Sequence, residues 1–212
     1  MTVIPENEVL RYLGVSRAEE PLCAEVRSVC QSMEQCITPR SVWQEYPCSA
    51  ADTSVSFGGI TFDGTDLVRH LKGCSSLLLF AATLGVEADR MARMESLRSM
   101  ARGSMVHAAG AAMIEQYCDD VQEALSTEYE ARGLYLRPRY SPGYGDLSLS
   151  RQADFFRLLE LPKRLGLSLN EHFIMTPSKS VTAVIGISAE PKKSFRKCRN
   201  CGRIDCPFRR EG

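Results

Sequence analysis

Residues 76–83 read Ser76-Leu77-Leu78-Leu79-Phe80-Ala81-Ala82-Thr83, an apolar run of strand length with no charge and no polar alternation. A strand with one wet face would place a polar side chain at every second position, so this run predicts a central strand covered on both faces. The chain on either side of it must supply two covering layers.

Downstream, Thr83-Leu84-Gly85 turns into a helix with Glu87 and Asp89 early and Arg98 and Arg102 late, the order that suits the helix dipole. Met91, Met94 and Leu97 are expected to face inward. Ser104 is expected to open the longest helix, running to about Ala131. Its first half, His107-Ala108-Ala109-Gly110-Ala111-Ala112, is small enough for another backbone to approach closely, and His107 reads there as a core histidine. Glu115 follows directly and is the acidic residue least easily assigned to the surface. Leu134 to Tyr140 predicts a strand. Phe155, Phe156, Leu158 and Leu159 predict a helix that Pro162 interrupts or ends. Ser168-Leu169-Asn170-Glu171 reads as a turn, and the strand-like run from His172 to Thr176 is expected to pair as an antiparallel hairpin with Val181 to Ile187 across Pro177-Ser178-Lys179-Ser180.

Upstream, Val9, Leu10 and Leu13 fit a short amphipathic helix, and Leu22, Val26, Val29, Met33 and Ile37 a longer one, with Cys23 and Cys30 as core filler beside it. Between Ser41 and Phe62, Val55, Phe57, Ile60 and Phe62 predict strands bent at Gly58-Gly59. Asp63 or Thr65 then caps a short helix carrying Leu67, Val68 and Leu71, which Gly73 stops. The chain divides into N-terminal helices over 1–40, an α+β core over 41–190 and a basic, cysteine-bearing tail over 191–212.

Twenty-six basic and 26 acidic residues give a formal charge of zero, so no global field draws the chain to nucleic acid or anionic lipid. The longest uncharged apolar run, Leu77 to Val86, falls short of the roughly 20 residues that span a bilayer. The first residues carry Glu6 and Glu8 without a basic-then-apolar signal pattern, which predicts a cytoplasmic location. There is no glycine-rich phosphate loop, and His70, His107 and His172 are not paired at triad or metal spacing, which argues against a hydrolase.

Of nine cysteines, six are scattered among apolar residues and are expected to be reduced and buried. The other three, Cys198, Cys201 and Cys206, have the C-x2-C-x4-C spacing of metal ligands, with Lys197, Arg199, Arg203 and Arg209 nearby to favour thiolates. Zinc or an iron–sulfur cluster both suit them. The fourth ligand is open among Cys36, Cys48, His172 and a neighbouring chain.

The stretch Arg137-Pro138-Arg139-Tyr140-Ser141-Pro142-Gly143-Tyr144-Gly145-Asp146 predicts a type II turn at Pro142-Gly143. Arg139 adds a planar fork of donors for a carboxylate or phosphate, and Tyr140 and Tyr144 add flat faces with polar tips.

Arg139 to Tyr144, the helix from Phe155 to Leu167 and Pro177-Ser178-Lys179-Ser180-Val181-Thr182 together resemble, in order and spacing, the activation (reactivation) domain of cobalamin-dependent methionine synthase. The resemblance implies an α+β fold with a twisted antiparallel sheet and flanking helices, and a site for S-adenosylmethionine. It implies that Arg139 holds the ligand's carboxylate, that the backbone near Ser141 and Gly143 lines the site, that Glu115 lies close to the ligand, and that Tyr144 faces the corrinoid as the residue nearest the chemistry. The family's Asp-Trp-Thr-Pro-type segment has no counterpart here; Asp52 and Asp63 are the candidates for its aspartate. Around His70 the sequence Val68-Arg69-His70-Leu71-Lys72-Gly73 lacks the aspartate of a cobalamin-binding D-x-H-x-x-G, so the cobalamin is expected on a partner, a methionine synthase or other corrinoid protein. The implied function is a reactivation subunit. With one electron from a flavodoxin-type donor and a methyl group from S-adenosylmethionine, it supports reductive methylation of cob(II)alamin. The alternative is a metal-clipped interaction module that docks on such a protein without binding S-adenosylmethionine.

Overall fold

β4 (Ser76–Thr83) runs through the middle of a six-stranded antiparallel sheet in the computed structural model, which describes residues 2–15 and 17–191. Its partners are β1 (Arg40–Ala50) on one side and β8 (Ser180–Ser188) on the other, with Phe80 opposite Trp43 and Ala183. Because strand side chains alternate, Leu77, Leu79 and Ala81 enter one core and Leu78, Phe80 and Ala82 the other, and all six are fully buried. The predicted two-faced strand is what forms.

The first layer is built by α1 (Glu6–Tyr12), α2 (Glu20–Cys36), α4 (Val86–Arg98) and α5 (Met100–Glu130). Val9, Val26, Val29 and Met33 of the N-terminal helices share one core with Phe80 and Met113. The second layer comprises α3 (Thr65–His70), α6 (Gln152–Leu158) and α7 (Leu161–Leu165), which bury Leu67, Phe155 and Leu165 against Leu79. β1 changes partner along its length: residues 40–47 pair with β4, and Cys48 to Ala50 pair with β2 (Ser54–Phe57). β2 turns into β3 (Ile60–Asp63) through Gly58 and Gly59, at φ +54° and +75°, the bend expected from the glycine pair.

Several expectations change. The long helix starts at Met100, capped by the Ser99 hydroxyl, which accepts from the Arg102 N–H at 3.4 Å; Ser104 lies inside it. Met94 and Leu97 face outward, 48% and 79% exposed, while Met91 packs partly against the core. α4 buries Ala88 and Ala92 instead, since small residues let it lie close on α5. Gly103 sets that approach, because a Cβ there would stand 2.8 Å from the Ser96 Cα. Among the six scattered cysteines, Cys36 is exposed and only Cys30 and Cys118 are fully buried. The strand expected over Leu134 to Tyr140 is reduced to β5 (Tyr135–Leu136) and a single bridge from Tyr140 to Val184, because Pro138 has no N–H to continue a ladder.

The hairpin across Pro177 is not formed. β7 (Met175–Thr176) pairs with β6 (Ser168–Leu169), and the Asn170 carboxamide organises their turn by accepting from the N–H groups of His172 at 3.0 Å and Ile174 at 2.9 Å. β8 instead inserts between β4 and β5. Pro162 falls in the first turn of α7, and the break predicted there lies just before it, with Glu160 at φ +50°.

Candidate ligand-binding groove

Ser104, His107, Ala108 and Ala111 recur at helical spacing on one face of α5 and, with Tyr12 and Leu13 at the end of α1, line a groove of about 400 Å³. The two alanines keep its floor low. His107 is exposed here, which corrects its reading as a core residue. Glu115 lies one turn beyond Ala111 on the same face.

At that end the structure brings together Glu115 and Arg139, the two residues that the family resemblance places at a ligand, as partners of each other. Arg139 is 7% exposed. Its Nη1 donates to the Gln122 Oε1 at 3.0 Å, and its Nη2 donates to the Glu115 Oε2 at 3.2 Å and the Asp119 Oδ1 at 2.7 Å. Burial works to lower the guanidinium pKa; Cys118, Asp119 and Glu115 outweigh it and the value is raised. Both carboxylates remain open to solvent, at 35% for the Glu115 side chain and 48% for Asp119. The buried cation therefore aims two outward-facing acids.

The loop beyond Arg139 is held at both ends. Tyr140 exchanges main-chain bonds with Val184 at 2.9 and 2.8 Å, and the Tyr144 N–H donates to the Ser141 carbonyl at 3.1 Å with Gly143 at φ +91°, closing the turn expected from Pro142-Gly143. Gly143 is exposed, but its N–H donates to the Leu147 carbonyl at 2.8 Å. Asp146 reaches the start of α3, accepting from the Asp66 N–H at 3.2 Å and the Thr65 hydroxyl at 3.0 Å. Desolvation opposes ionisation of Asp146, but these bonds prevail and hold its pKa below the usual carboxylate value. Gly145, at φ +51°, permits the approach, since a Cβ would lie 2.6 Å from the Asp66 Oδ2. His70 bonds the Pro138 carbonyl at 2.9 Å and packs its ring 5.0 Å from that of Tyr140.

Tyr144 is 55% exposed and stands edge-on to Tyr140, with ring centroids 6.2 Å apart. Its pKa is raised by burial and then by the field of Glu115, with Arg139 opposing and Tyr12 adding to the rise. Tyr144 thus feels the charges of Glu115 and Arg139 while staying more than half exposed. Asp63 pairs with Arg151 at 3.1 Å, and neither it nor Asp52 lines the groove. Cys198, Cys201 and Cys206 lie outside the described residues; within them, no group of three or more His, Cys, Asp or Glu could hold a metal.

The sequence reading missed Asp119, Gln122, Asp146, Tyr12 and Leu13. Asp119 and Gln122 follow Glu115 at i+4 and i+7, a spacing that places them on its face. Tyr12 and Leu13 join through the packing of α1 on α5, which no local pattern announces.

An antiparallel sheet between two helical layers, with a groove between α1 and α5 and an Arg-Tyr-Ser-Pro-Gly-Tyr loop joined to α5 through Arg139, defines an α+β domain with a candidate site on α5. The sequence model of vitamin B12 dependent methionine synthase, activation domain, matches residues 79–205, and the chain belongs to this family. The fold is that of the crystal structure of the MetH reactivation domain bound to AdoHcy, with a TM-score of 0.66 and 17% identity over 92% of this chain and 76% of that one. No curated protein matches the sequence. Among the described residues no helix is long and apolar enough to cross a membrane.

Proposed function

We propose that this chain is a reactivation subunit that binds S-adenosylmethionine in the α1–α5 groove and docks on a cobalamin-carrying methionine synthase or related corrinoid protein. The observation that carries the reading is that the groove lies on the first half of α5 and Glu115, with its partner Arg139 and the nearby Tyr144, follows at the middle of the same helix, in a member of the activation-domain family. Its roughly 400 Å³ suits a ligand of nucleoside size. Glu115 would face the amino or sulfonium end, where a carboxylate is favourable. Arg139 would take the ligand's carboxylate in exchange for Asp119, while Ser141 and Gly143 line the loop side. Tyr144, with its exposed ring, would face the corrinoid of the partner. S-adenosylmethionine supplies the methyl group and a flavodoxin-type donor the electron; this chain's part is to hold and orient the ligand. The setting is cytoplasmic, with neither nucleic acid nor membrane as partner.

Titration of the purified chain with S-adenosylmethionine by calorimetry tests this. Saturable one-to-one binding that Arg139→Ala abolishes supports it; absence of binding rejects it. Glu115→Gln should weaken affinity about tenfold, the loss of one charged contact. A second reading, a docking module without the ligand, draws on the internal satisfaction of Arg139 by Glu115, Asp119 and Gln122, three partners that the chain itself supplies. In that case the Arg139→Ala chain would lose partner binding while the wild type shows no heat with S-adenosylmethionine. The tail cysteines Cys198, Cys201 and Cys206 are proposed to bind zinc or an iron–sulfur cluster as a clip on the partner surface.

A further inference from the structure

Because α4 lies on α5 through Ala88, Ala92 and the close approach at Gly103, its larger apolar residues point away from the core. Val86, Arg90, Arg93, Met94 and Leu97 follow at i, i+4, i+7, i+8 and i+11, one stripe of the helix, and all five are exposed. Met100, the first residue of α5, comes two residues after α4 ends and is exposed as well. An apolar stripe at this spacing ordinarily covers a core, and this one faces outward.

The charges set into the stripe say what suits it. Among the described residues the ion pairs of α4 run from Glu95 to Arg98 at 3.3 Å and to Arg102 at 2.7 Å, and leave Arg90 and Arg93 without a carboxylate. Asp89 is occupied by the N–H and hydroxyl of Ser178. Glu87 is the one acid of α4 that is exposed. The stripe is therefore apolar and cationic on a chain of zero formal charge. A second copy would bring arginine against arginine across a two-fold axis. A membrane-surface helix keeps its cations on the side opposite its apolar residues, whereas Arg90 and Arg93 lie between Val86 and Leu97. A protein surface with an apolar centre and a rim of carboxylates meets both the side chains and the charge.

Position narrows the partner. Met100 opens a row on α5 that continues at i+4, i+7 and i+11 with Ser104, His107 and Ala111 of the groove, and at i+15 with Glu115, the partner of Arg139. The row is about 22 Å long. A standard interface buries roughly 800 Å² per partner, a patch about 30 Å across, so one partner can meet the loop of Tyr144 and reach Met100 and Leu97 together.

We infer that the outward stripe of α4, with Met100, docks the corrinoid-carrying partner through an apolar surface ringed by aspartate and glutamate. This rests on the reading that the chain serves such a protein, and adds where and by what chemistry it is held. Leu97 and Met100 are the apolar anchors, and Arg90 and Arg93 steer the approach.

The test measures binding of the full chain, by biolayer interferometry, to a cobalamin-loaded methionine synthase from the same organism that ends after its cobalamin domain. Leu97→Asp/Met100→Asp should weaken affinity at least about tenfold, with the circular dichroism spectrum and the heat of S-adenosylmethionine binding unchanged. Arg90→Glu/Arg93→Glu should slow association about tenfold and remove its dependence on salt. Ile174→Asp, which alters an exposed apolar residue on the turn between β6 and β7, should leave affinity at the wild-type value. A wild-type chain that does not bind this partner overturns the docking reading and this inference with it. Wild-type affinity in Leu97→Asp/Met100→Asp overturns the inference alone, whatever the result with S-adenosylmethionine. Capture of the chain by vesicles of phosphatidylcholine and phosphatidylserine, or a dimer in sedimentation, either one lost in Leu97→Asp/Met100→Asp while partner binding is kept, overturns it in favour of a membrane or a second copy.

Discussion

Arg139 and Arg137 are two residues apart, both buried, and differ in their partners: the first has two carboxylates and an amide, the second one hydroxyl. The difference predicts opposite effects of removal. Arg139→Ala should cost about 1–3 kcal/mol in urea unfolding, below the value for a fully buried pair because Glu115 and Asp119 stay partly hydrated. Arg137→Met, similar in reach but neutral, should stabilise the chain by about 1–3 kcal/mol, read as a higher Tm, since it removes a buried charge that lacks a counter-charge. Little of this was legible in the sequence. Residue types marked Arg139 as an anion fork and Glu115 as an acid hard to assign to the surface, but that the two satisfy each other depends on how the loop lies across α5. Gly143 and Pro142 were legible because their turn is a local property of the backbone.

At the scale of elements, the loop and α3 are joined by Asp146, and this joint is sensitive to acid. A carboxylate whose folded pKa is depressed stabilises fully above its unfolded value, about 3.9, and that contribution is lost as pH falls through the lower folded value. Exchange of the Asp66 amide should therefore quicken below about pH 4, measured by NMR, and Asp146→Asn should quicken it at neutral pH and flatten the acid dependence. The α4–α5 contact gives a second prediction. Gly103→Ala places a methyl against the Ser96 backbone and should destabilise by about 1–3 kcal/mol in the same urea assay. Periodicity showed that both helices exist, yet the face of α4 was misjudged because methionines look more buriable than alanines. What decided it was the distance between helix axes, which the alanines and Gly103 set. The Pro177 hairpin failed for a related reason: strand patterns identify strands but not which edge will receive them.

In the molecule as a whole, the two cores lie on opposite faces of one sheet, and β4 and β8 each feed both. Leu78→Ala and Leu79→Ala empty opposite cores, and each should cost about 2–5 kcal/mol while keeping one cooperative transition by both near- and far-ultraviolet circular dichroism. Amides of α2 should exchange only with global unfolding, since Val26, Val29 and Met33 share the core of Phe80. This layering was the most legible feature, because eight consecutive buried residues admit few alternatives. The groove was the least legible, being made by elements about 90 residues apart in the chain. The two ends of that arrangement meet in Gln122, whose oxygen accepts from Arg139 and whose nitrogen donates to the Arg137 carbonyl at 3.0 Å. An amide is the only side-chain group of this size that both gives and takes at fixed positions. Glutamate at 122, identical in outline, would set a lone pair against a lone pair at the Arg137 carbonyl. The segment from Arg137 to Arg139 is therefore kept in register on α5 by the polarity of one amide rather than by its shape.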